Sequence, residues 1–118
     1  MRIHVRAVNL ALDGETRARV ERRLQASLGR LAHRILRVGV RIVDENGPRG
    51  GADMACLVEV RLRRAERVFV EATDLSLDEA VKEASEKVAT AVVRALERSR
   101  ESRRRSPADH HPADPLYT

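Results

Sequence analysis

Aromatic side chains are almost missing from this chain: Phe69 and Tyr117 are the only two, and tryptophan is absent, among 118 residues. Proteins that read a single strand by stacking successive bases, such as RNA-recognition motifs and OB folds, spread several rings over one surface. A reader of that kind is excluded. Any nucleic-acid contact falls mainly to phosphate, ribose and helical shape, which suits folded RNA. Cysteine is nearly as scarce. Cys56 stands alone, so there is no intramolecular disulfide and no cysteine zinc site, and the residue reads as a small buried strand side chain in a reducing compartment.

No apolar run is long enough to cross a bilayer, and the N-terminus alternates charged with apolar residues where a signal peptide would have an apolar stretch. A cytoplasmic protein without membrane contact is the expectation. Catalytic constellations are missing too: there are no paired carboxylates with a reason for a raised pKa, no nucleophile beside a base and no cofactor loop. Neither an enzyme, a cofactor nor a small-molecule substrate is expected. His4 has no partner at metal-ligand or base spacing, and adjacent His110 and His111 make a poor metal site. Gly50 and Gly51 lack the Lys-Ser/Thr and the following helix of a phosphate-binding loop.

Arginine is abundant, and unevenly placed. Lysine and arginine number 23 against 18 acids, and residues 1–43 alone hold ten arginines against three acids, while residues 74–102 hold five bases against seven acids. Basicity is concentrated in the first strand, first helix and second strand, as on a polyanion-binding face. A chain of this length suits one domain with one core.

Residues 2–8 alternate, with Ile3, Val5 and Ala7 on one side and Arg2, His4 and Arg6 on the other, which predicts a half-buried strand. From Asp13, a candidate N-cap, to about Arg34 the apolar residues Val20, Leu24, Leu28, Leu31 and Ile35 recur at helical spacing. On that helix Arg19, Arg23, Arg30 and Arg34 form a second stripe roughly a quarter-turn away, with Arg22 just outside it, and at about 1.5 Å per residue the row extends roughly 22 Å. Leu36, Val38, Val40 and Ile42 then point inward in a second strand, with Arg37 and Arg41 outward. A strand, helix and strand in this order predict a right-handed crossover between parallel strands, adjacent or one strand apart.

Asp44 to Asp53 reads as a long turn, followed by antiparallel strands through Cys56, Val58, Val60 and Leu62 and through Val68, Val70 and Ala72. On the outer face Arg61, Glu59, Glu71 and Arg67 beside Arg37 and Arg41 predict cross-strand ion pairs on a solvated surface. Ser76 with Glu79 is a capping-box pattern that opens a second helix. Its apolar stripe, from Leu77 to Ala95, faces the sheet, and Lys87, Arg94 and Arg98 lie on its flank. No strand follows. The expected fold is α+β, β-α-β-β-β-α, a four-stranded mixed sheet with two helices packed on one face. The domain spans residues 1–100, and the proline-containing residues 101–118 are expected to be a disordered tail.

These elements, with particular residues, resemble the ribosome-associated inhibitor and hibernation-promoting factor family, also described as sigma modulation proteins, in its short form. The matching features are Asn9, V-E-R-R-L at 20–24, N-G-P-R-G-G-A-D-M-A-C at 46–56, Asp74, A-V-K-E-A-S-E-K at 80–87 and V-R-A-L-E-R at 93–98. The resemblance covers roughly residues 1–100. It implies a non-enzymatic translation inhibitor and hibernation factor that binds ribosomal RNA of the small subunit in the mRNA and tRNA channel, acting as a monomer without the C-terminal dimerisation domain of the long forms. Carried over by position, Arg22, Arg23, Lys87, Arg94 and Arg98 face RNA, with Arg49 in the loop. Two positions depart from the family pattern: Met54 and Ala55 follow Asp53 where relatives are more basic, and Lys82 stands where many carry an acid. The charge pattern adds Arg19, Arg30 and Arg34. An alternative of another class is a protein-interaction module that modulates an acidic partner such as a transcription factor.

Overall fold

Alternating apolar residues build four strands whose inward faces share one core. The computed structural model describes residues 1–45 and 53–105, the side chains of residues 103–105 excepted. The strands are β1 (Arg2–Val8), β2 (Ile35–Asp44), β3 (Met54–Leu62) and β4 (Val68–Asp74), and the helices are α1 (Gly14–Leu28) and α2 (Leu77–Arg105). The sheet order is β1-β2-β3-β4, with β1 and β2 parallel neighbours and the other pairs antiparallel. Val5, Val38, Val40, Ile42, Cys56, Val58, Val60 and Val68 meet Val20, Leu24 and Leu28 of α1 and Ala84, Val88 and Val92 of α2 in one cluster. Both helices therefore cover the same face of the sheet, as expected.

Local chemistry sets the boundaries. The Asp13 carboxylate accepts from the Thr16 backbone N–H at 2.8 Å and caps α1, and the Ser76 hydroxyl accepts from the Glu79 N–H at 3.0 Å and caps α2. Asn9 turns the chain out of β1 with φ 66°, a left-handed conformation that asparagine tolerates better than most residues. Arg17 is half-buried and donates from Nη1 to the Val5 carbonyl, tying α1 to β1.

Three boundaries differ from the sequence expectation. The first helix is α-helical only to Leu28, and residues Gly29–Arg34 continue as a 3-10 segment. Gly29 has poor helix propensity, and three residues per turn then replace 3.6; the added turn of about 20° per residue moves Arg30 little but carries Arg34, six residues in, off the stripe of Arg19 and Arg23. The continuous 22 Å row is thereby broken. At the start of β2 the pairing slips between Ile35 and Arg37. Ile35 consequently takes the inward position, while Leu36, expected inside, is 45% exposed. Finally, α2 runs to Arg105, past the expected end near Arg100. The rest of the expected tail, residues 106–118, and the middle of the Asp44–Asp53 turn lie outside the described residues, though the Glu45 N–H meets the Asp53 carbonyl at 2.9 Å.

Candidate nucleic-acid interface

The direction of the two helices decides where their cations go. Arg17 reaches back to Val5, so α1 runs against β1; Lys87 meets β4 at Glu71, while Arg98 and Ser99 meet the β3–β4 turn at Glu66 and Arg64, so α2 runs against β4. As β4 is antiparallel to β3, and β3 to β2, all of β1, β2 and β4 point one way and the helices are parallel. Rows on the same rotational side of two parallel helices point in the same direction and do not converge. The row of α1 consequently faces the groove between the helices, where Arg19 Nε lies 3.4 Å from Asp78 Oδ1. The row of α2 faces the β4 edge, where Lys87 Nζ donates to the Glu71 carbonyl at 3.0 Å.

Each expected cation has a place in this frame. Arg23 follows Arg19 one turn later on the groove side, and Arg22 points away from the core; both are exposed. Four residues beyond Asp78, at the level of Arg23, α2 presents exposed Lys82 to the same groove, so the departure from the family pattern adds a positive charge there. Arg30 is exposed and Arg34 half-buried in the 3-10 segment. Lys87, Arg94 and Arg98 share the outer flank of α2. Arg49 lies outside the described residues.

Acids meet three of these cations: Asp78 faces Arg19, Glu83 lies 3.8 Å from Lys87, and Glu66 pairs with Arg98. All three pairs are solvent-exposed and worth about 1 kcal/mol or less each, so a phosphate can displace the acid. Among the described residues Arg22, Arg23, Arg30 and Arg94 make no ion pair.

The opposite face of the sheet departs from expectation. The predicted web of cross-strand ion pairs reduces to one, Arg67 to Glu59 at 2.8 Å. The register explains it, because Arg37 stands opposite Arg61, Arg41 opposite Leu57, and Glu71 also opposite Leu57. The cations on this face went unassigned in the sequence because register is a tertiary property. Among the described residues no group of three or more histidine, cysteine or acidic side chains is placed to hold a metal, and no helix is long and apolar enough to cross a membrane.

Relatives share this architecture. The N-terminal domain of Protein Y from Thermus thermophilus superposes with a TM-score of 0.67 at 27% identity, covering 80% of this chain and 98% of that one. A ribosomal subunit interface protein from Coxiella burnetii has a TM-score of 0.65 at 13% identity over 80% of this chain and 96% of its own, a likeness of fold. No curated protein matches by sequence. The sequence model of one family matches residues 3–100, all four strands, α1 and most of α2. With that span and this topology, the chain belongs to the sigma 54 modulation protein / S30EA ribosomal protein family.

Proposed function

We propose that this chain is a ribosome-associated translation inhibitor that binds the small subunit as a monomer, through phosphates of ribosomal RNA in the channel that mRNA and tRNA use. It acts by occupying that channel, without catalysis, and lets ribosomes be stored. The observation that carries the reading is family membership across residues 3–100, combined with exposed cations on both helices of that domain. The similarity to Protein Y from Thermus thermophilus supports it at 27% identity. Guanidinium groups suit the task because their planar forks hold phosphate oxygens in pairs and stay charged at every physiological pH.

The interhelical groove, with Arg19, Arg23 and Lys82, and the outer flank, with Lys87, Arg94 and Arg98, are two separate contact strips. A wide RNA surface on two sides of a channel fits such an arrangement better than one groove would. The test is co-sedimentation with purified small subunits over a salt series, where each phosphate neutralised contributes about 0.7 to 0.9 to the log–log slope. Arg23→Glu combined with Lys87→Glu should release the protein while its circular dichroism stays unchanged. Salt-independent binding, or binding to an acidic protein that survives nuclease treatment while subunits are ignored, overturns the proposal.

A further inference from the structure

The helix-free face of the sheet is written by the strand register into rows that run across the strands. Arg2, Arg37 and Arg61 align in one row; His4, Gly39, Glu59 and Phe69 in the next; Arg6, Arg41, Leu57 and Glu71 in the third. Gly39 has no side chain, and nothing lies within 4 Å of where a Cβ would sit. The face therefore dips at Gly39, between the two rows of arginine and flanked by His4 and Glu59, within an open concavity of about 660 Å³. Glycine inside a strand often marks close approach by a ligand.

Five guanidinium groups rise from a patch about 10 by 13 Å, given strands about 4.8 Å apart and about 3.3 Å per residue over the four residues between the two rows. Like charges set directly opposite across strands are destabilising. The protein itself does not relieve them: among the described residues none of the five arginine side chains makes a hydrogen bond or ion pair, and Glu59 is taken by Arg67. At the far end of the dip Phe69 is 62% exposed. A lone ring beside unpaired guanidinium groups offers one base a stacking surface. A protein partner would need buried apolar anchors; of the apolar residues lining the dip, Ile3, Val38 and Val40 pack with the core on the other side of the sheet, which leaves Leu57 and Phe69.

We propose that this trough holds a single-stranded RNA segment lying across the strands, its phosphates on the two arginine rows and one base on Phe69. It is a second surface, on the opposite side of the sheet from the helix cations, and does not depend on them.

The test uses the full chain and a labelled oligoadenylate of about ten nucleotides, followed by fluorescence anisotropy over a salt series. Arg37→Gln with Arg41→Gln should weaken binding at least tenfold and lower the log–log salt slope by about 1.4, two phosphates at about 0.7 each. Gly39→Leu fills the dip without changing charge and should weaken binding as well. Phe69→Ala should weaken oligoadenylate binding but leave inorganic polyphosphate binding unchanged. Thermal melts of each variant establish that it is folded. The proposal is overturned if the double glutamine and Gly39→Leu variants bind as wild type, if Arg23→Glu with Lys87→Glu abolishes oligoadenylate binding, or if oligoglutamate competes as well as RNA. Small-subunit sedimentation is scored separately, so loss of the oligonucleotide with the subunit retained assigns the trough its own ligand.

Discussion

Arg19 on α1 and Asp78 in the first turn of α2 meet at 3.4 Å, Nε to Oδ1, with both side chains open to solvent. The contact joins the starts of two parallel helices and places an acid against the basic groove. Such an exposed pair stabilises by about 1 kcal/mol or less, and an acid near a helix N-terminus contributes about 0.3–1 kcal/mol more. Asp78→Asn should cost at most about 2 kcal/mol in urea unfolding on those figures. It also frees Arg19. Binding to small subunits should then tighten, with a salt slope steeper by about 0.7 to 0.9 for one further phosphate; an unchanged slope removes Arg19 from the interface.

The bulge at the start of β2 gives neighbouring residues opposite roles. Ile35 is fully buried and Leu36 is 45% exposed. Ile35→Ala should cost about 2–5 kcal/mol, as for a core deletion, whereas Leu36→Ala should stay within about 0.5 kcal/mol. Equal losses in urea unfolding would place both side chains in the core and contradict the register.

Periodicity carried most of the fold and little of the site. Val20, Leu24 and Leu28 report their inward face by spacing alone, and Asp13 and Ser76 announce helix starts because capping is chemistry among near neighbours in the chain. Leu36 could not be read correctly, since a bulge depends on how β2 pairs with β3. The same limit applied to the cations. The rotational flank of Arg23 and Lys87 is a local property, but whether two flanks converge depends on helix direction, which the strand order sets. The alignment of Arg2, Arg37 and Arg61 joins residues from three separate segments, and no spacing along the chain encodes it.

Helix capping makes stability acid-sensitive in one place. The hydrogen bonds from Thr16 hold the Asp13 carboxyl below its ordinary value of 3.8. The folded state therefore binds its proton less readily than the unfolded state, so the cap stabilises above the ordinary value and is lost as pH falls through the lowered one. Asp13→Asn keeps an acceptor and should remove this part of the acid dependence of the urea midpoint. Ser76→Ala should cost about 1 kcal/mol at every pH, serving as the uncharged comparison. An acid dependence identical in wild type and Asp13→Asn would show that the cap plays no part.

Burial pushes the Cys56 thiol from its ordinary 9.0 up to about 12. At alkaline pH an unfolded chain would ionise the thiol while the folded one keeps its proton, so stability from this group falls as pH rises from 9.0 towards 12. Alkylation needs thiolate and access. Labelling by iodoacetamide at mildly alkaline pH should be negligible in the native protein and should appear along the urea unfolding curve. Native labelling at the rate of a free thiol would contradict the buried placement.

Arg37 and Arg61 face each other across β2 and β3, and Arg2 faces Arg37 across β1 and β2. Opposed like charges on neighbouring strands cost about 0.2–1 kcal/mol per pair, and exposed charges are screened by salt. Arg37 belongs to two such pairs, so Arg37→Gln should raise stability in low salt by about 0.4–2 kcal/mol, the sum of two pair costs. The gain should shrink as salt is added, because screening relieves wild type more than the variant. Urea midpoints of both proteins measured across a salt series provide the check. A substitution that destabilises equally at all salt concentrations would mean that Arg37 contributes packing to the sheet and not unrelieved charge.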